Sequence, residues 1–324
     1  MKYLIVNGAG SSIDINNNFP DGRKLLENLK NNYDTGNVIK NHNPSSIDHL
    51  MTKIIDQNQH QELVGRVKRA ISNIILEAQS KVSQWNNNYF FDIVQNLVGI
   101  DNIDQIDIIN FNYDTTLEKV VEYLISIYTS ENDGDEERKK SRIFKLEQLL
   151  IRIENSHVYG YIGDNGNNIN FIRVATKERT AEFIKKIKDA ENIYFLGFGF
   201  DRTNLQNLGF FDNDIRNHFI SNRVQQNSKK IFVTNYVGEI EVRHTGGGGI
   251  TANNNRTSVV IDQRRFSNKI MLTLEEVFDC KIQIVRDGFF SQGFVYNQHS
   301  VWYPTKLYIS NLGVGSAVRE DFIF

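Results

Sequence analysis

Tyr3-Leu4-Ile5-Val6-Asn7-Gly8-Ala9-Gly10-Ser11-Ser12 opens the chain. A short apolar run closed by glycine and serine reads as a buried strand entering a small-residue turn. The construction recurs downstream. Ile106-Asp107-Ile108-Ile109-Asn110-Phe111 enters Asn112-Tyr113-Asp114, and Asn192-Ile193-Tyr194-Phe195-Leu196 enters Gly197-Phe198-Gly199-Phe200. Lys230-Ile231-Phe232-Val233-Thr234-Asn235 is a further buried strand, Ser156 to Gly163 a short strand signal, and Lys281 to Val285 another. Helical patterns lie between them: Asp21 to Lys30, residues 45–100, Thr116 to Tyr128, Thr180 to Ala190, about 204–221, and Thr273 to Phe278. Strands alternating with helices predict an α/β fold with a mainly parallel sheet. Ligands of such sheets sit outside the carboxyl ends of the strands. The segments after Val6, Phe111, Leu196 and Val233 therefore point to one crevice.

The chain has 324 residues, enough for one large domain or two ordinary ones. With 40% hydrophobic residues, 23% charged residues and a net charge of −2, it has the balance of a soluble globular protein. That balance argues against a disordered chain, and against a generally basic protein that binds nucleic acid directly. The single cysteine, Cys280, excludes an intramolecular disulfide and a cysteine-rich zinc site. The opening apolar run is too short for the core of a secretion signal, and no stretch approaches the roughly 18 apolar residues of a membrane span. A cytoplasmic protein is expected.

Gly8-Ala9-Gly10-Ser11-Ser12 lets a backbone approach a ligand closely, and its amides could bind phosphate. It lacks the third glycine of a dinucleotide fingerprint and the Gly-Lys-Ser/Thr of a P-loop. It reads equally as a tight turn. Asn112 and Asp114 stand where strand becomes loop. Asn112 could hold a carboxamide or a water. Asp114 could accept from an amide or a ribose, or could cap the following helix. His157 lies beside a strand signal, where an imidazole could serve as a general base at neutral pH or simply be structural. Tyr159, two residues on, would face the same way on a strand. Residues 131–140 read as a solvated loop or helix start, and Gly246 to Gly249 as a loop beside Arg243, Arg256, Arg264 and Arg265.

Taken in order, these segments resemble the sirtuin-like (SIR2-like) family, specifically the bacterial NAD+-cleaving members of antiphage defence. Gly8-Ala9-Gly10-Ser11-Ser12 is similar to the family's Gly-Ala-Gly-x-Ser loop, and Asn110 to Asp114 resembles its Thr-x-Asn-Tyr-Asp segment. His157-Val158-Tyr159-Gly160 sits where the family has His-Gly. Gly197-Phe198-Gly199, followed by Asn204, resembles the turn lining the nucleotide, and Asn235 the later asparagine at the adenosine. The resemblance implies a Rossmann-like domain over residues 1–290 with a helical insertion at about 20–105, and a 291–324 aromatic tail suited to oligomer or partner contact. It implies NAD+ as substrate, no metal, and cleavage of the nicotinamide–ribose bond. It casts Asn112 and His157 as catalytic. Gly8, Ala9, Gly10, Ser11, Asp114, Gly197, Gly199, Asn204 and Asn235 would bind the dinucleotide. Tyr159 directly precedes the glycine, so His157 and Tyr159 both compete for the family's histidine position. The sirtuin deacylases carry a four-cysteine zinc module that one cysteine cannot build, which directs the expectation from deacylation to NAD+ hydrolysis. A homo-oligomer, or a HerA-like ATPase or short Argonaute partner, is also implied.

Three other functions compete. One is an NAD- or ADP-ribose-binding regulatory subunit without turnover. An NAD(P)-linked oxidoreductase would need an acidic ribose ligand about 20 residues past the first glycines, where Asp34 stands without a preceding strand. A DNA-processing enzyme would need clustered carboxylates and a basic surface that this composition lacks.

Overall fold

The structure is a computed structural model. It describes residues 2–44 except 17, then 47 and 50, 61–130 except 87, 135–162, 176–198 and 202–211. Beyond these it describes the backbone of six strands.

The strands are β1 (Tyr3–Asn7), β2 (Ile106–Asn110), β3 (Asn192–Leu196), β4 (Lys230–Tyr236), β5 (Glu241–His244), β6 (Thr257–Val260), β7 (Ile282–Arg286), β8 (Tyr296–Asn297) and β9 (Ser300–Ile309). The helices are α1 (Ala9–Ile15), α2 (Gly22–Asn31), α3 (Gly36–His42), α4 (Gln61–Ser80), α5 (Tyr89–Asp92), α6 (Thr116–Ser130), α7 (Glu136–Glu154), α8 (Lys177–Asp189) and α9 (Arg202–Asn207). The main sheet runs β2-β1-β3-β4-β9-β7, and β1 to β4 are mutually parallel. β9 pairs antiparallel with both β4 and β7, so Ser300–Ile309, beyond residue 290, is hydrogen-bonded within this sheet. The chain is an α/β fold with a mixed sheet whose strands β1 to β4 are parallel.

Side-chain alternation sorts the core onto two faces of the sheet. Leu4, Val6, Ile109, Ile193 and Phe195 pack with Phe183 and Ile187 of α8 and with Leu205 of α9. Ile5, Ile108, Tyr194 and Leu196 pack with Val120 and Leu124 of α6 and with Leu146 and Leu149 of α7. Helices thus cover both faces, which is why the strands read as continuous apolar runs. Leu29, Ile39, Val67 and Ile71 form a third cluster among α2, α3 and α4, in the long connection from β1 to β2.

Three expectations differ from this structure. The Gly8–Ser12 turn is a single residue, because α1 begins at Ala9 with Gly8 as its extended N-cap. The helical stretch expected over 45–100 is interrupted: α4 ends at Ser80, and Asn88 starts α5 by accepting from the Phe91 amide. The Asn88 side chain competes with a continuous helical backbone there, donating to the Trp85 carbonyl and accepting from the Phe91 amide. Gly99, at φ +76°, then separates a π-type turn (Ile93–Val98) from a 3-10 turn (Ile100–Gln105). The segment Ser156 to Gly163 is not a strand where described. His157 bridges to Asn110, and Gly160, itself a bridge residue, takes φ +74°. As the sequence indicated, Asp34 does not follow a strand: it lies between α2 and α3.

Among the described residues no helix is long and apolar enough to cross a membrane. Gly199, the Gly246–Gly249 loop, the Thr273–Phe278 helix and the end of the 204–221 helix lie outside the described residues.

Candidate functional site

β1 and β2 end side by side, and their last residues begin a buried polar network. Asn7 donates from Nδ2 to Asn110 Oδ1 at 2.9 Å. The same oxygen accepts the main-chain amide of Asn112 at 3.0 Å. Asn112, 3% exposed, is thereby carried directly past the end of β2. Its Nδ2 donates to Ser12 Oγ at 2.9 Å and to Ser11 Oγ at 3.3 Å, both on α1. Its Oδ1 is buried with no partner among the described residues.

Asp114 holds the first residue of α6. Its Oδ1 accepts from the Thr116 amide at 3.1 Å and from Thr116 Oγ1 at 2.5 Å. Its Oδ2 accepts from Ser12 Oγ at 2.7 Å. This side chain therefore ties α1 to α6, and both carboxyl oxygens are engaged.

His157 reaches the cluster from the connection after α7. Nδ1 lies 2.9 Å from the Asn112 carbonyl oxygen and Nε2 lies 2.5 Å from Glu118 Oε1. A carbonyl only accepts, so the proton on Nδ1 is fixed by its partner. Arg179 of α8 donates to the main-chain carbonyls of His157 and Val158, which holds the segment against the sheet. The Tyr161 ring lies against the imidazole at 4.9 Å between centroids. Burial works to lower the imidazole pKa, but the Glu118 hydrogen bond and charge outweigh it and the net shift is upward. Burial raises the pKa of the Glu118 carboxyl, against the lowering effect of His157. The pair behaves as one unit that holds a proton to higher pH than a free imidazole does.

Tyr159 is separate from this network. Its hydroxyl donates to Asn204 Oδ1 at 2.5 Å and accepts from Asn207 Nδ2 at 3.1 Å. Its ring meets Phe111 edge to face. Of the two candidates for the histidine position, His157 is the one that touches Asn112.

The glycine segments meet each other. Gly8 donates to the Leu196 carbonyl, and Gly10 donates to the Gly197 carbonyl at 3.0 Å. A Cβ on Gly8 would stand 2.8 Å from the Gly197 oxygen. One on Gly197, at φ +55°, would stand 2.0 Å from the Ser11 nitrogen. Close backbone approach thus requires both glycines. Strand order reverses between β1 and β3, and open parallel sheets place ligands at such a reversal. Gly8, Ala9, Gly10 and Ser11 on one side and Gly197 on the other occupy that position. Asn235 is in β4, paired with Tyr303 of β9, and Gly199 is undescribed.

Sequence reasoning missed Glu118, Ser12, Asn7 and Asn110 as members of the network. Glu118 carried a signal: it is an acidic residue beside Leu117, Val120 and Val121 on a buried face, where a carboxyl needs a partner. Ser12 lay inside the loop read as a phosphate cradle, with no role given to its side chain, and the asparagines at the strand ends had no signal of their own.

Comparison with models of known families, with curated proteins and with solved structures gave no match in any of the three.

Proposed function

We propose that this chain is an NAD+ hydrolase with a Rossmann-like, sirtuin-like domain, cleaving NAD+ to nicotinamide and ADP-ribose as the effector of a bacterial antiphage defence system. The observation that carries the proposal is the Asn112 side chain: it is buried beside the strand-order reversal, clamped by Ser11 and Ser12, with its carbonyl oxygen unpartnered among the described residues. Such an oxygen is a preorganised acceptor for the hydroxyls of a ribose or for an attacking water.

The chemistry asks for little more than positioning. The C1′–nitrogen bond breaks, its electron pair leaves with nicotinamide, and the pyridinium becomes a neutral base that needs no protonation. Water oxygen adds to the oxocarbenium-like C1′ and its proton passes to solvent. Asn112 directs that water, and His157 holds the Asn112 main chain. Asp114 acts in this geometry by fixing Ser12 and α6. A diphosphate cradled by the Gly10 amide requires the Gly10–Gly197 contact to open. A homo-oligomer, or a HerA-like ATPase or short Argonaute partner, is proposed as the setting for control.

One observation favours a second function, an NAD- or ADP-ribose-binding regulatory subunit: both imidazole nitrogens of His157 are already engaged. Incubation of the pure chain with NAD+, with products resolved by chromatography, separates the two. A hydrolase releases nicotinamide and ADP-ribose, alone or with candidate activators added, and Asn112→Ala stops release in a protein that still unfolds cooperatively. A binder is thermally stabilised by NAD+ or ADP-ribose and leaves NAD+ intact. Undiminished consumption by Asn112→Ala removes Asn112 from the mechanism.

A further inference from the structure

Glu118 lies in the first turn of α6, on the face that buries Leu117, Val120 and Val121. Only 4% of it is exposed, and a carboxyl in such a place costs folding energy unless something holds it. What it meets is His157 Nε2, at 2.5 Å. The imidazole passes the contact on, because Nδ1 must donate to the Asn112 carbonyl oxygen. Asn112 is then fixed by its amide on Asn110, its carbonyl on His157 and its side chain on Ser11 and Ser12. The circuit closes through α6, since Ser12 donates to Asp114, whose other oxygen holds the first residue of the helix that carries Glu118.

We propose that Glu118 is a positioning residue of the site, acting through the His157 ring to hold Asn112 in the orientation that catalysis uses. The role presupposes the NAD+-hydrolase function proposed above. The bond from Glu118 fixes which way the ring faces, and the shared proton lies between Nε2 and the carboxyl. The other groups that face the ring are the Asn110 side-chain amide from β2, the Asn112 carbonyl, the charge of Asp114 and the Tyr161 ring. Arg179 approaches from α8 but binds the His157 main chain, not the ring. None of these supplies a second carboxyl hydrogen bond to Nε2 among the described residues.

The test uses the full chain labelled with 15N-histidine, with His157→Gln identifying the His157 signal. In the wild type, the His157 ring should show Nδ1 protonated and a titration midpoint above that of an ordinary imidazole. Glu118→Gln keeps the side-chain volume but removes the acidic group. It should lower the midpoint, because the partner that raises it is lost. The same variant should lower kcat for NAD+ cleavage by about tenfold or more while KM changes much less, as expected when an interaction that matters only at the transition state is lost. Glu118→Asp, which keeps the acid but shortens its reach, should retain the raised midpoint in part and recover part of kcat. If Glu118→Gln does not fold, the wild-type titration and Glu118→Asp carry the test. A wild-type His157 that titrates like a free imidazole overturns the proposal, as does unchanged kcat in a folded Glu118→Gln protein. A wild-type chain that never cleaves NAD+ but shows the raised, Glu118-dependent midpoint overturns the hydrolase function and leaves the Glu118–His157 coupling standing.

Discussion

Asp14 faces inward from α1 and is 3% exposed. Its Oδ2 accepts the Tyr89 amide at 3.0 Å, and its Oδ1 has no partner among the described residues. Burial raises the carboxyl from 3.8 to about 7, the Tyr89 amide opposes that shift, and the charge of Asp92 adds to it. The folded chain therefore holds this proton more tightly than the unfolded chain does. The stability tied to Asp14 is fully present below about pH 3.8 and is lost as pH rises to about 7, at up to about 1.4 kcal/mol per pH unit. Asp14→Asn mimics the protonated form. Urea unfolding between pH 5 and 8 should find the variant gaining on the wild type as pH rises, with the difference levelling off above about pH 7. A pH-independent difference would show that Asp14 is ionised at no cost in the folded chain. Nothing around Asp14 in the sequence marks it as buried: it sits in a short helix hidden by glycines and serines, and the Tyr89 amide that receives it is 75 residues away.

At the scale of elements, one side chain of α7 bonds to the main chain at the start of β2. Arg152 donates to the carbonyls of Ile103, Asp104 and Ile106, gathering the end of the 3-10 turn and the first residue of the strand. The guanidinium reaches these three carbonyls from two separate nitrogens, whereas an ammonium presents its donors from a single point. Arg152→Lys should therefore destabilise the chain by about 1 to 2 kcal/mol despite keeping the charge, measured by urea unfolding. A loss as small as that of an exposed lysine substitution would mean that the carbonyls find water equally well. Elements of this kind divide in how readable they are. β1, β2 and β3 are legible because strands covered on both faces are apolar without interruption and end at glycine or asparagine. The helix α6 is legible from its apolar spacing. α1 is not, because helix-breaking residues form it under the demand of loop packing. The irregular residues after Ser80 are not legible either, because the break depends on where Asn88 finds its partner. In the site, Asn112, Asp114 and His157 are legible as positions, since they follow strand ends or stand beside them. Their partnerships are not, because Ser12 and Asp114, or Glu118 and His157, meet only once the parallel sheet has assembled.

For the whole molecule, the decisive relation is between β1 and β3. These neighbours lie where the strand order reverses, and each ends in a glycine that the other's backbone touches. The glycines that suggest a phosphate cradle are thus also the residues that let two loops close on each other. The Gly10 amide cannot serve both a phosphate and the Gly197 carbonyl. In the ligand-free chain that amide should exchange slowly with solvent deuterium, in step with the amides of β1, since its donor is paired at 3.0 Å beneath the loops. Gly197→Ala places a Cβ 2.0 Å from the Ser11 nitrogen at a positive φ, so the contact must part. The substitution should cost about 2 kcal/mol or more and bring Gly10 exchange toward that of an open amide. If NAD+ or ADP-ribose uses this cradle, saturating ligand should keep the Gly10 amide protected in the wild type and restore protection in Gly197→Ala, because phosphate oxygen replaces the carbonyl as acceptor. Residue-resolved exchange by NMR reads all three states. Rapid Gly10 exchange in the ligand-free wild type would show that the loops stand open in solution. Ligand binding that leaves the Gly197→Ala amide unprotected would move the diphosphate away from Gly10.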